Sequence, residues 1–161
     1  MIGLLRRLIG GGAPQIRAAH PREAAAIAKL HGRSFHRGWS DEEVESLLVD
    51  RSVLAHSLRF GGVFTGFVLS RCAADEAEIL SIVVDRRYQG RGFARQLLNL
   101  HLGRLAALGI KALFLEVDEN NAPAIRLYRA AGFREVARRP NYYPLPGGRT
   151  AAALVLRRDI A

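Results

Sequence analysis

The sequence predicts a mixed α/β (α+β) fold, a central sheet of about seven strands covered by four helices in the order βααβββαβαββ. Three observations indicate this class. Apolar residues recur at every second position in some stretches and at helical spacing in others. Glycine-containing turns separate these stretches at short intervals. A length of 161 residues with 49% hydrophobic content suits a single core.

The first half of the chain predicts a strand, two helices and then three antiparallel strands. Residues 15–18 form the strand, and an Ala-rich helix follows from His20-Pro21 to about Leu30. Ser40 caps the second helix, because acidic residues fill the turn that follows it. Over 53–84 the apolar period is two, and Gly61-Gly62 makes the first of two hairpin turns.

The second half alternates helices and strands. Its predicted elements are a helix over 92–108, a strand over 111–117, a helix over 121–131, a strand over 133–138, a loop over 141–148 and a strand over 150–157. No repeat or linker divides the chain, so we expect one domain over 15–161 after a loose tail over 1–14.

Cysteine content and motifs exclude several kinds of chemistry. Cys72 is the one cysteine, which excludes an intramolecular disulfide and a Cys-based zinc cluster and fits a cytoplasmic protein. Neither an H-E-x-x-H metal site nor an H-x-x-x-D acyltransferase motif occurs, and we expect His101 on a helix flank. Because no run of about 18 apolar residues is present, no membrane-spanning helix is expected.

The net charge of +9, from 24 Lys and Arg against 15 Asp and Glu, invites a nucleic-acid-binding interpretation. Basic and aromatic residues are not interleaved as such an interface needs. All basic residues except Lys29 and Lys111 are arginine, which we attribute mainly to a general arginine preference. The charge is therefore informative only where arginines cluster beside a backbone that suits phosphate.

Four arginines surround a Gly-rich turn between the strand that ends at Val84 and the helix that follows Gly92. Unpaired N–H groups and the helix dipole make such a turn an anion site. The spacing matches neither a Walker A loop nor a complete G-x-G-x-x-G turn, so a merely tight turn stays an alternative. The arginines that favour a phosphate site are Arg86, Arg87, Arg91 and Arg95.

Longer motifs carry a resemblance to a known family. Gln89 to Ala94 resembles the Q/R-x-x-G-x-G/A loop by which GCN5-related N-acetyltransferases (GNAT) hold the pyrophosphate of acetyl-CoA. Residues 115–133 resemble the L-E-V…N-x-x-A-x-x-L-Y-x-x-x-G-F run of the ribosomal-protein-alanine acetyltransferases, the RimI family. Residues 138–144 resemble that family's R-R-N-Y-Y-P segment with one inserted proline, Pro140. The resemblance extends over residues 15–158.

The resemblance implies the GNAT fold, in which the fourth strand bulges and splays from the fifth to open a cleft. It also implies acetyl-CoA as co-substrate and no metal. Main-chain groups of the fourth strand would pair with the pantetheine arm, and the Gly-rich turn would hold the pyrophosphate. The residues implied for cofactor binding are Ile82, Val83, Val84, Gln89, Gly90, Arg91, Gly92, Phe93, Ala94, Arg95 and Asn121.

Two residues are candidates for proton transfer. Alternation along the strand places Glu116 on the same face as Phe114 and Asp118, where it is either ion-paired at the rim or held in a cleft with a raised pKa. Tyr128 faces inward on its helix and by itself is typical of a core aromatic. The resemblance implies that Glu116 is the general base, through water, and that Tyr128 protonates the CoA sulfur. Transfer would be direct, with no acyl-enzyme.

The resemblance implies that the acceptor is the N-terminal alanine of ribosomal protein S18, bound near Trp39, Tyr142 and Tyr143. A small amine, a polyamine or a lysine stays open as the acceptor, because Pro140 and the net charge both weigh against a basic peptide. A nucleic-acid-binding module with a vestigial fold is a more distant alternative. We expect a cytoplasmic monomer with neither a membrane partner nor a direct nucleic-acid partner.

Overall fold

The computed structural model describes residues 12–35 and 37–160 of the chain. Most of the predicted N-terminal tail, residues 1–11, lies outside the described residues, as do His36 and Ala161. Residues 12–14 lead into the first strand without regular secondary structure.

Seven strands and four α-helices make up the described part of the chain, in the predicted order βααβββαβαββ. The strands are β1 (Gln15–Ala18), β2 (Val53–Phe60), β3 (Val63–Ala73), β4 (Glu76–Val84), β5 (Ala112–Asp118), β6 (Arg134–Pro144) and β7 (Thr150–Asp159). The helices are α1 (Ala24–Ser34), α2 (Asp41–Val49), α3 (Phe93–Ala107) and α4 (Ala122–Ala130).

Local chemistry explains where several elements begin and turn. The Ser40 hydroxyl accepts a hydrogen bond from the Glu43 N–H, and the Glu43 carboxylate accepts one from the Ser40 N–H, both at 3.1 Å. This reciprocal pair is a capping box, which satisfies two N–H groups at the start of α2. Gly61 and Gly62 have φ of 59° and 79°, the left-handed values that a two-residue hairpin turn requires.

The strands form one sheet in the order β1-β2-β3-β4-β5-β7-β6. All neighbours are antiparallel except β4 and β5, whose parallel pairing joins only residues 76–79 to residues 112–115. Beyond those residues β4 continues to Val84 and β5 to Asp118 with no ladder between them. The two central strands therefore separate toward their carboxyl ends, and the predicted splayed cleft is confirmed.

A bulge in β4 lies where the two strands part. On β3, Ser70 is opposite Ile79 and Leu69 is opposite Ser81, so Leu80 is the extra residue of β4. A bulge bends its strand and increases the local twist. The bulge at Leu80 accordingly turns β4 away from β5 one residue after their last pair.

The helices cover the two faces of the sheet with separate apolar cores. One core joins α3 and α4 to the inward side chains of β4, β5 and β7, and the other joins α1 and α2 to β3 and β4. Each large apolar side chain that is fully buried contributes about 1.5–3 kcal/mol. Fully buried members of the first core are Leu97, Leu98, Leu105, Leu113 and Leu156, and those of the second are Ile27, Val44, Phe67 and Leu69.

The prediction of a loop over 141–148 is wrong for the first half of that range, because β6 continues to Pro144. Between Arg139 and Tyr143 the register with β7 is irregular, and Asn141 adopts a positive φ of 55° while its side-chain oxygen accepts a hydrogen bond from the Thr150 hydroxyl at 2.6 Å. Pro140 falls inside this irregular part of an edge strand, where a residue without an N–H is tolerated. The inserted proline is thus absorbed by the strand rather than by a loop.

The expected position of His101 on a helix flank is also wrong. His101 is completely buried between α3 and the sheet, with Nδ1 2.7 Å from His56 Nδ1 and Nε2 2.7 Å from the Ser70 hydroxyl. Burial lowers the pKa of His101 to about 3, and the neighbouring His56 adds to the effect. The three side chains form a polar cluster that joins α3 to β2 and β3 inside the apolar core.

Candidate active site

A buried carboxylate organises the loop that follows β4. The Asp85 carboxylate accepts the Arg87 N–H at 3.0 Å and lies 3.0 Å from Arg87 Nη2. Hydrogen bonds from Arg87 hold the pKa of Asp85 below its usual value. Arg87, one of the four arginines predicted to surround an anion, therefore shapes the loop through this ion pair.

Two glycines open the N-terminus of α3. Gly90 and Gly92 have φ of 79° and 78°, and a Cβ added at either position would meet no atom within 4 Å. Gly92 is the N-cap residue, and α3 begins without a hydrogen bond from a capping side chain. The N–H groups of the first turn are left for a ligand, and Gly90 and Gly92 carry no side chain that could narrow the approach to them. The cradle fits the predicted pyrophosphate.

The other arginines of the loop are exposed around this cradle. The Arg91 guanidinium lies over the rings of Phe60 and Tyr88, 5.5 and 5.6 Å from their centroids. Arg86 and Arg95 are exposed on either side of the glycines. Stacking of Arg91 on two rings fixes a positive charge beside the helix N-terminus, as phosphate binding needs.

Two predicted cofactor residues have structural partners. The Gln89 side-chain amide donates to the Val84 carbonyl at 3.1 Å, which ties the loop to the end of β4. The Asn121 side chain accepts the Ala124 N–H at 3.3 Å and caps α4, as its position after β5 indicated. Ile82 and Val83 pair with β3 along one edge of β4, while the edge toward β5 carries no ladder.

Glu116 lies on the wall of the splayed cleft and is ion-paired. Its Oε1 is 3.1 Å from Arg139 Nη2 on β6, and 21% of its side chain is exposed. Of the two environments that the sequence left open, the structure has the ion pair. The carboxylate lines a cavity of about 360 Å³ together with Glu76, Glu78 and Phe114.

Tyr128 lies on the opposite face of the sheet from Glu116. Its ring is buried in the core under α4, 5.7 Å from the ring of Phe133. Leu115 and Val117 of β5 point into the same core, whereas Glu116 between them points to the other face. Burial raises the pKa of Tyr128, so its hydroxyl stays protonated at neutral pH. A group threaded between β4 and β5 would therefore have the Glu116 carboxylate on one side and the Tyr128 phenol on the other.

Trp39 lines a second cavity, next to the one that holds Glu116. Its ring stacks on His31 with centroids 3.9 Å apart, and its main-chain N–H donates to His31 Nδ1 at 3.2 Å. Trp39, Glu43 and Asp50 line a cavity of about 530 Å³. Arg71 lines both this cavity and the one that holds Glu116, so the two cavities adjoin at Arg71.

The two predicted tyrosines of β6 differ in their surroundings. Tyr143 is half-buried, and its pKa is raised by burial and by the nearby charges of Glu116 and Asp118. Tyr142 is exposed, and the Arg139 guanidinium lies 5.7 Å from its ring centroid. Tyr143 thus lies beside the candidate base, while Tyr142 contacts the site through Arg139.

Arg139, Arg71, His31 and Ser81 belong to this region, and sequence reasoning did not single them out. In the sequence Arg139 stands only as part of the R-R-x-N-Y-Y-P segment. Its even spacing from Tyr143, which would place both side chains on one face of a strand, is the one signal that could have found it.

No group of three or more His, Cys, Asp or Glu within residues 12–35 and 37–160 is arranged to hold a metal. In the same ranges no helix has both the length and the apolarity to cross a membrane.

Comparisons with known proteins place this geometry in context. The family model of the acetyltransferase (GNAT) family matches residues 24–133. The [ribosomal protein bS18]-alanine N-acetyltransferase of Escherichia coli K12 is 37% identical over 130 residues, which are 81% of this chain and 87% of that protein. The bS18-alanine N-acetyltransferase of Haemophilus ducreyi is 37% identical over 90 residues, and the match spans 56% of this chain and 62% of that protein.

A solved structure has the same fold as this chain. The crystal structure of the ribosomal-protein-S18-alanine N-acetyltransferase from Escherichia coli superposes with a TM-score of 0.86 and 30% sequence identity. The superposition covers 92% of this chain and 95% of that one. The element order, the splayed strands and the glycine cradle therefore lie in a fold shared with this acetyltransferase.

Proposed function

The chain belongs to the acetyltransferase (GNAT) family, and from this premise we propose that it transfers an acetyl group from acetyl-CoA to the N-terminal alanine of ribosomal protein bS18. The observation that carries the proposal is the pair Glu116 and Tyr128 on opposite faces of the splayed strands. Identity of 37% over 81% of the chain to the Escherichia coli bS18-alanine N-acetyltransferase supports the choice of acceptor.

The proposed cofactor position follows from the glycine cradle. The first N–H groups of α3, with Arg91 and Arg95 beside them, would hold the pyrophosphate of acetyl-CoA. The edge of β4 past its last pair with β5 would bind the pantetheine arm through main-chain groups of residues 82–84. Acetyl-CoA supplies an activated thioester, whose carbonyl oxygen takes negative charge as the amine adds. A main-chain N–H of β4 would stabilise that charge.

The proposed proton transfers use the two faces of the sheet. Glu116 accepts a proton from the acceptor amine, through a water molecule, so that nitrogen can form the new C–N bond. Tyr128 donates its proton to the sulfur as the C–S bond breaks, because burial keeps the hydroxyl protonated. Neither residue forms a covalent intermediate, and transfer is direct.

The acceptor would lie along the two adjoining cavities, in a groove from Trp39 to Glu116. An extended peptide entering the groove would pass Arg71 and reach the carboxylate beside Tyr143. The two cavities are lined by five carboxylates and three arginines, and this excess of negative charge would favour a basic peptide. The carboxylates are Glu43, Asp50, Glu76, Glu78 and Glu116, and the arginines are Arg37, Arg71 and Arg139. In this proposal residues 15–161 act as one domain and as a monomer in the cytoplasm, where ribosomal proteins are made.

The test is release of thiol from acetyl-CoA with a panel of amines. The panel contains a peptide that copies the bS18 N-terminus and starts with alanine, the same peptide with its amine blocked, spermidine, and a blocked peptide with an internal lysine. We expect turnover with the free Ala-peptide alone. Turnover with spermidine or lysine, and none with the Ala-peptide, would contradict the proposed acceptor.

A further inference from the structure

The Ser81 hydroxyl lacks a hydrogen-bond partner in a buried position. Across residues 12–35 and 37–160 it is the one buried side-chain nitrogen or oxygen without such a partner, and Ser81 is 5% exposed. A buried polar atom that makes no hydrogen bond costs about 1–3 kcal/mol, so folded proteins nearly always satisfy such atoms. Such an exception on a strand that borders a cleft points to a ligand that completes it.

The bulge at Leu80 decides which way Ser81 points. Ala77 and Ile79 face the core under α3, and simple alternation would send Ser81 there as well. The extra residue shifts the register by one, so Ser81 is opposite Leu69, whose side chain packs under α1 and α2. Ser81 thereby faces the same side of the sheet as Glu116.

Ser81 also lies at the opening of the cleft. The last pair between β4 and β5 joins Ile79 to Leu115, and Ser81 and Glu116 are among the residues that follow on the two separating strands. The cradle for the pyrophosphate and the buried Tyr128 belong to the α3 and α4 face. The hydroxyl is therefore on the side where the acceptor enters rather than on the side of the cofactor.

We infer that the Ser81 hydroxyl binds the acceptor amine and orients it for attack, an inference that rests on the proposed function. A neutral amine carries N–H donors and one lone pair. Ser81 Oγ accepts one N–H, and Glu116 takes the proton of another through water, so the lone pair is left toward the thioester carbon. The C–N bond then forms, the C–S bond breaks, the amine proton passes to Glu116 and the Tyr128 proton passes to sulfur.

The test is Ser81→Ala, measured for both substrates. Loss of one neutral hydrogen bond should raise the KM for the Ala-peptide about 5- to 10-fold while the KM for acetyl-CoA stays unchanged. Because the hydroxyl has no partner within the described chain, its removal should leave Tm unchanged or raise it. A desamino peptide, with propionyl in place of alanyl, should inhibit wild type and Ser81→Ala equally, since it has no N–H to donate.

Ser70→Ala is the matched control, because Ser70 is a buried serine on the neighbouring strand. Its hydroxyl is hydrogen-bonded to His101 on the α3 face, so its loss should lower Tm and leave both KM values unchanged. The inference is overturned if Ser81→Ala keeps the wild-type KM for the peptide, changes the KM for acetyl-CoA instead, or loses Tm as Ser70→Ala does.

Failure of the proposed function has a different signature. If wild type acetylates spermidine or lysine instead of the Ala-peptide, the proposed acceptor is wrong, and the same comparison is made with the amine that reacts. A raised KM for that amine in Ser81→Ala then supports the inference on its own. A wild-type protein that acetylates no amine of the panel overturns both.

Discussion

Glu116 and Tyr128 show how the backbone assigns different surroundings to two side chains twelve residues apart. Strand alternation sends Glu116 into an open cleft, where Arg139 pairs with it and water reaches it. The helix that follows turns Tyr128 into the core, where burial raises its pKa. The carboxylate in the open cleft is therefore the proposed proton acceptor, and the buried phenol is the proposed donor.

Glu116→Gln should lower kcat at least ~10-fold, because the amide cannot take the proton of the amine. The ion pair with Arg139, whose own side chain is 58% exposed, contributes little to stability, so Tm should stay near wild type. Steady-state kinetics and thermal unfolding measure the two effects. Glu135→Gln, an exposed carboxylate on β6, is the control and should keep full activity. A near-normal kcat in Glu116→Gln would leave Glu116 with a structural role only.

Tyr128→Phe should also lower kcat by ~10-fold or more, since the departing sulfur loses its proton donor. The buried ring and its contact with Phe133 are retained, so the variant should unfold at nearly the wild-type temperature. Because the raised pKa keeps the hydroxyl protonated, activity should show no basic limb from Tyr128 up to its ordinary pKa of about 10. Unchanged kcat would assign Tyr128 to the core alone.

At the scale of elements, the end of β4 and the start of α3 build most of the site. The bulge at Leu80 separates β4 from β5, and the glycines after β4 open the helix N-terminus. Both features depend on backbone geometry, and the side chains of Ile82 and Val83 serve mainly to pack. Their substitution by other apolar residues should matter less than a change at Gly92.

Gly92→Ala should raise the KM for acetyl-CoA and destabilise the protein by about 1–2 kcal/mol. The cause is the left-handed φ of 78°, which an alanine adopts only at a cost. A clash is not the cause, because a Cβ there would touch no atom within 4 Å. Gly103→Ala is the matched control, in open space within α3, and should stabilise the protein by about 0.5–1 kcal/mol. Urea unfolding and acetyl-CoA kinetics measure both. Equal effects of the two changes would contradict a special role for Gly92.

At the scale of the whole molecule, two apolar cores hold the sheet between pairs of helices. The polar cluster of His56, Ser70 and His101 lies within the larger core and connects α3 to the sheet. Both histidines have lowered pKa values, mainly through burial, and that of His31 is lowered as well. The folded protein thus binds fewer protons than the unfolded chain in mildly acidic solution.

Acidification from pH 7 to 5 should lower the free energy of unfolding by about 2 kcal/mol through His101. Its pKa is about 3 when folded against 6.5 when unfolded, so its contribution is complete above 6.5 and declines as the pH falls toward 3. Urea unfolding at the two pH values measures the change. His101→Gln should flatten the dependence, whereas His20→Asn, which alters an exposed histidine, should not. The same slope in His101→Gln would refute this account.

The sequence by itself determined the element order, the glycine turn before α3, the face of β5 that carries Glu116 and the cap at Asn121. These features depend on residues close together in the chain, through periodicity, turn conformation and hydrogen bonds to nearby N–H groups. The resemblance added the roles of Glu116 and Tyr128, which composition and spacing left open.

Only the tertiary structure decided which distant residues meet. The pairing of Glu116 with Arg139, the burial of His101 against β2 and β3, and the extension of β6 past Pro140 all depend on partner strands. The direction of Ser81 depends on a bulge that is defined only against the register of β3. Periodicity within one strand cannot specify that register, because a shift of one residue exchanges the two faces of the sheet.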